Sequence, residues 1–124
     1  MAALPEHRTI LLVEDDPDIR ESIADVLEAA GRTVVQAVDG LDAFAKLEHL
    51  DRPCLILLDL IMPNMDGLEF LERLKSRPEA PELPVLVISA HGHATASEHY
   101  SGVLGTLRKP FNVKELLGWV QEHC

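Results

Sequence analysis

Short apolar runs and longer mixed segments take turns along this chain. Five stretches are apolar at most positions: residues 9–13, 33–38, 55–58, 85–88 and 103–107. Continuous apolarity over so few residues predicts strands buried on both faces. Between the first two, Ile19, Ile23, Val26, Leu27 and Ala30 are spaced for one face of a helix. Asp16 before Pro17 supplies an N-cap and a first-turn proline, and Gly31 supplies a stop. Leu41, Phe44, Ala45 and Leu47 predict a second helix. Leu68, Leu71 and Leu74 predict a third, with Asp66 as N-cap and an end before Pro78. Val113, Leu116, Leu117 and Val120 predict a last helix, capped by Asn112 with Glu115 three residues on. Residues 91–101 hold few large apolar side chains and much loop chemistry, so a short or irregular helix is expected there. Strand–helix alternation of this kind predicts an α/β fold: a parallel sheet covered on both faces, with right-handed crossovers.

Bulk properties narrow the class. A chain of 124 residues with 47% apolar content suits one globular domain, residues 1–124 with an ordered core of about 8–123 and no output domain. No leader pattern and no membrane-length apolar stretch occurs, so a soluble cytoplasmic monomer is expected. The net charge of −10 argues against binding a phosphate backbone. Cys54 reads as a buried thiol and Cys124 as a fraying end, a usage that suits a reducing compartment.

The chemistry collects at strand ends. Glu14-Asp15-Asp16 follows the first run, Asp59 the third, Ser89 the fourth and Lys109 the fifth. Ligands of open parallel sheets bind at the strands' carboxyl ends. Asp16 is explained by capping; Glu14, Asp15 and Asp59 are not. Asp59 is expected to be rigidly held yet solvated enough to keep its charge. Three neighbouring carboxylates must take up a proton or bind a cation, and oxygen ligands favour a hard divalent ion. With Lys109 and the Ser89 hydroxyl, the set matches the apparatus for phosphoryl transfer to a carboxylate. A flavin-type carrier would need a phosphate-cradling loop after the first strand, where acids stand instead. An aspartyl-nucleophile hydrolase would want an acid two residues after Asp59, where Ile61 stands. His91, His93 and His99 read as loop residues.

Val13-Glu14-Asp15-Asp16, then Asp59-Leu60-Ile61-Met62-Pro63-Asn64-Met65-Asp66-Gly67, then Ser89-Ala90, then Lys109-Pro110-Phe111, resemble the receiver domain of bacterial two-component response regulators, of the CheY-like single-domain type. The resemblance covers nearly the whole chain. It implies a flavodoxin-like (βα)5 fold, a doubly wound five-stranded parallel sheet in the order 2-1-3-4-5. It implies Asp59 as phosphoacceptor, with Ser89 binding a phosphoryl oxygen and Lys109 pairing with the acyl phosphate. Mg2+ (or Mn2+) would be held by Asp15, Asp59 and the backbone carbonyl of Ile61, and by Glu14 through water. A cis Lys109-Pro110 bond is implied, and Met62-Pro63 and Gly67 would shape the turn after Asp59. The implied partners are a sensor histidine kinase or histidine phosphotransfer protein and a downstream effector, with neither nucleic acid nor membrane. The implied activity is that of a switch assisting its own Mg-dependent phosphorylation and dephosphorylation, not of an enzyme. The alternative is a pseudo-receiver that switches without phosphate. Such a module would normally have lost an acid or the lysine, and none is lost here.

Two departures stand out. Receivers usually carry an aromatic residue three positions before the lysine; here that position is Thr106. The interval from Ser89 to Lys109 is also short by about two residues. Both changes suggest an altered output face, with switching through backbone order in residues 91–101.

Overall fold

The structure is a computed structural model that describes residues 9–50, 53–60, 67–78, 83–89 and 102–124. Among these, five strands are all parallel and lie in the order β2-β1-β3-β4-β5: β1 (Thr9–Val13), β2 (Thr33–Ala37), β3 (Leu55–Asp59), β4 (Val85–Ser89) and β5 (Val103–Arg108). Four helices are described: α1 (Pro17–Ala29), α2 (Gly40–Leu47), α3 (Gly67–Leu74) and α4 (Val113–His123). The order is the one implied by the resemblance. The expected helix within 91–101, the Asp66 cap, and His91, His93 and His99 lie outside the described residues.

Strand parity sorts the core into two layers. Leu11, Val13, Ile56, Leu58, Val85 and Val87 face one way and meet Ala43 and Leu47 of α2 with Phe70, Leu71 and Leu74 of α3. Ile10, Leu12, Leu55, Leu57, Leu86, Ile88 and Leu107 face the other way and meet Ile23 and Leu27 of α1 with Leu116 and Val120 of α4. The three central strands are therefore buried at every position except Thr9, which accounts for their unbroken apolar runs.

The helix ends follow their capping chemistry. Asp16 Oδ1 accepts from the Asp18 and Ile19 amides at 2.9 and 3.2 Å, and Asn112 Oδ1 accepts from Glu115 at 2.7 Å. Gly31 takes a positive φ of 89° after α1. Some expectations shift. β2 stops at Ala37, and Val38 is exposed. In α2 the buried stripe is Gly40, Ala43 and Leu47, so Leu41 and Ala45 point outward. Trp119 of α4 packs against β5, where Gly105 leaves room: a Cβ there would lie 2.5 Å from the indole ring. No described helix is long and apolar enough to cross a membrane.

The cysteines correct the sequence reading. Cys54 and Cys124 form a disulfide, so Cys54 is not a free thiol and Cys124 is anchored. α4 starts near the carboxyl ends of the strands and runs back along its layer of the core. It thereby returns Cys124 to the start of β3, with the two Cα atoms 5.4 Å apart. That spacing lies within the span a disulfide bridges.

Candidate functional site

Register brings the chemistry to one edge. Val13 pairs with Leu58 across β1 and β3, so the next residues, Glu14 and Asp59, face each other at the strand ends. Ser89 pairs with Arg108 across β4 and β5, and the Lys109 amide donates to the Ser89 carbonyl at 2.8 Å. The chain turns opposite ways on leaving β1 and β3, the kind of crevice where doubly wound sheets bind ligands.

Carboxylate oxygens of Glu14, Asp15 and Asp59 all lie within 4.8 Å of one another. Lys109 Nζ stands 3.5 Å from Glu14 Oε1 and 3.5 Å from Asp59 Oδ2. The lysine thus bridges two carboxylates that would otherwise repel. Asp59 is only 3% exposed and Glu14 1%. The solvated Asp59 expected from its strand-end position is therefore not what the fold provides: protein surrounds it. Ser89 is equally buried, at 1%. The Lys109-Pro110 peptide is cis. Ile61 lies outside the described residues, as do Met62 and Pro63.

Burial pushes the Glu14 carboxyl up to about 7, and the Asp59 carboxylate and a hydrogen bond shared with it push the same way. Lys109 and the Asp16 amide, which donates to Glu14 Oε2 at 3.3 Å, pull it back. The sign of the consequence is definite. A carboxyl whose folded value is raised stabilises fully below about pH 4.5 and loses that contribution as pH rises through about 7. Between those limits the loss amounts to roughly 3 kcal/mol at most. Thermal unfolding of the metal-free protein should therefore shift downward between about pH 5 and about pH 8. A divalent cation should restore more stability at the higher pH than at the lower. An equal gain at both would show that Glu14 does not take up the proton.

The three acids suit such a cation. All donors are oxygens, the hard type that Mg2+ prefers, and three carboxylates are fewer ligands than the six its octahedral geometry takes. Sequence reasoning missed Arg20 and the close packing at Gly67. Arg20, one turn into α1, donates from Nη1 to the Glu14 carbonyl at 3.0 Å and from Nε to Gln36 Oε1 at 3.1 Å. It fastens the acidic loop to β2. Gly67 opens α3 against the backbone of Leu60, and its amide donates to the Leu60 carbonyl at 2.8 Å. The glycine was legible as a turn residue, not as a point of close approach. Thr106 Oγ1 is buried and has no hydrogen-bond partner among the described residues. A shallow apolar groove of about 320 Å³ runs between α1 and α4, lined by Ile19, Ile23, Val26, Phe111 and Leu116 among others, and a second hollow that shares Ile19 and Phe111 with it is lined by Lys109 and Pro110.

Residues 10–121 match the family described as response regulator receiver domain. The chain is 39% identical over 114 residues to the DNA-binding dual master transcriptional regulator RpaA of Synechocystis sp., a match covering 90% of this chain and 47% of RpaA. It therefore spans about half the length of that relative. The chemotaxis response regulator CheY4 of Vibrio cholerae superposes with a TM-score of 0.83 at 30% identity, covering 95% of this chain and 99% of that one. The receiver domain of sensor histidine kinase PA1611 of Pseudomonas aeruginosa PAO1 has a magnesium ion coordinated in its active site cleft. It superposes with a TM-score of 0.82 at 28% identity, covering 94% of this chain and 97% of that one.

Proposed function

The chain belongs to the response regulator receiver family, and from that premise we propose that it is a phosphorylatable switch whose acceptor is Asp59. Receiver domains are phosphoacceptor switches that work with histidine kinases or phosphotransfer proteins and with effectors. In the proposed reaction an Asp59 carboxylate oxygen attacks the phosphorus of a phosphohistidine. The aspartyl O–P bond forms as the P–N bond breaks, and the histidine of the partner leaves with the electron pair.

The observation that carries this reading is the double contact of Lys109, 3.5 Å from both Asp59 and Glu14, with Asp15 completing the acidic cluster. Lys109 neutralises charge on the transferring group, and the Ser89 hydroxyl binds one of its oxygens. Mg2+ (or Mn2+) would be held by Asp15 and Asp59, by Glu14 through water and by the Ile61 carbonyl, and would supply further neutralisation. Glu14, Asp59, Ser89 and Lys109 are held at strand ends before the donor arrives, so little reorganisation is needed. The same site assists loss of the phosphoryl group to water.

We read the chain as a receiver acting in the cytoplasm as a monomer. Its donor is a sensor histidine kinase or histidine phosphotransfer protein, and its output is altered binding to an effector protein. The likeness to CheY4, a chemotaxis response regulator, supports a switch of this kind. The apolar groove between α1 and α4, which adjoins the hollow at Lys109, supports a protein donor over a small molecule alone. The acidic surface disfavours direct contact with nucleic acid.

Incubation with Mg2+ and acetyl phosphate, followed by intact-mass measurement, tests the reading. One added phosphoryl group per chain is expected, with none when the metal is chelated. No addition from acetyl phosphate or from a phosphorylated kinase would leave a pseudo-receiver.

A further inference from the structure

We propose that the Cys54–Cys124 bond is a redox-exchanged latch on α4, opened and closed by a low-molecular-weight thiol and its disulfide, such as glutathione. The bond links two elements that reach the acidic site at their other ends. Cys54 leads into β3, which ends in Asp59, and α4 begins shortly after Lys109. Both cysteines are partly exposed, so a small thiol can reach the bond.

The surroundings accommodate either state. Cys54 Sγ lies 3.3 Å from the Thr9 carbonyl oxygen. A bridged sulfur carries no hydrogen, so it makes no use of that acceptor; a reduced thiol there donates to it. The same carbonyl already receives the Cys54 amide at 2.9 Å, which keeps the residue seated when the bond opens. At the other end the Cys124 amide donates to Val120 at 2.8 Å, while Leu116 and Val120 anchor the helix body in the core. Opening the latch therefore frees the last turn and leaves the rest of α4 docked. Disulfides that form in a reducing compartment are generally transient or redox-sensing ones. Only the cytoplasmic setting is taken from the proposed function.

The exchange balances. A thiolate attacks Cys124 Sγ, the protein S–S bond breaks, and Cys54 leaves as a thiolate that takes up a proton. A second thiolate then attacks the small molecule's sulfur in the mixed disulfide, and Cys124 leaves in the same way. Two small thiols are oxidised to one disulfide as the protein bond is reduced to two thiols.

The test uses the whole chain in glutathione buffers running from fully reduced to fully oxidised. Free thiols are counted by alkylation and mass, and amide exchange is followed in the last turn of α4. Two thiols should appear together within that range, and the last-turn amides should exchange roughly tenfold faster once they do. Cys54→Ser should show the fast rate in every buffer, and the wild-type titration decides the matter if that variant fails to fold. Asp59→Asn should give the same transition as wild type, which separates this result from the phosphorylation chemistry. The latch is overturned by thiols that stay free in the most oxidising buffer. It is equally overturned by a bond that survives the most reducing one, or by a transition that leaves α4 exchange unchanged.

Discussion

Asp59→Asn is expected to abolish phosphoryl incorporation and, at the same time, to make the metal-free protein more stable at about pH 8. The first effect is chemical. An amide oxygen is a poor nucleophile, and no other described carboxylate combines contact with Lys109 and a strand-end position except Glu14, whose carboxyl resists ionisation. The second effect is electrostatic. Glu14 is held up by burial and by the neighbouring Asp59 carboxylate. Asparagine removes that charge and can donate its amide hydrogen to Glu14, so the contact no longer requires a bound proton. Lys109 loses one of its two carboxylate partners but keeps the other, and its side chain is 26% exposed, so solvent softens that loss. A net gain of about 1 kcal/mol is expected at the higher pH. The gain should shrink towards about pH 5, where Glu14 of the wild type already holds its proton. Intact mass reads the first effect and thermal unfolding at the two pH values reads the second. Phosphorylation of the variant would move the acceptor elsewhere. A variant less stable at high pH would mean that Lys109 contributes more through Asp59 than the carboxylates lose by repulsion.

Gly67→Ala should destabilise the domain by about 3 kcal/mol, although it adds one methyl group. A Cβ at this position would stand 2.5 Å from Leu60 Cα and 2.9 Å from the Asp59 carbonyl oxygen. Both are backbone atoms, and neither can turn aside as a flexible side chain could. The first turn of α3 must lift, or the end of β3 must give way. Either movement displaces Asp59, so phosphorylation should slow in the variant that remains folded. Gly118→Ala is the matched control. Nothing lies within 4 Å of a Cβ there, and the position is a helix interior, so it should be neutral or stabilising by a few tenths of a kcal/mol or more. Urea unfolding of both variants decides the point; equal stabilities would mean that α3 does not approach β3 as closely as described.

The two core layers were legible because strand and helix positions carry their faces in their spacing. Leu11 and Val13 part from Ile10 and Leu12 by simple alternation, and Ile23 and Leu27 follow one helical turn. The acidic cluster was legible for a related reason: residues that end parallel strands are brought to one edge by the sheet itself. What lies over that edge is another matter. The burial of Asp59 depends on neighbours supplied by distant segments, and no local pattern announces it. Ala45 was assigned to the buried stripe of α2 because alanine fits either side, and the stripe instead follows Gly40, Ala43 and Leu47. The cysteine pair was hidden most completely. Its partners are separated by 70 residues, and they meet only because α4 has the length and direction to return to the start of β3.

Trp119 is the only tryptophan in the chain, and it rests on the bare backbone of Gly105 in β5. An indole against a peptide plane emits differently from one in water. Any sliding of α4 over this outer strand therefore alters the light the protein gives off under ultraviolet excitation. A stopped-flow fluorimeter can follow that movement in real time without an attached dye.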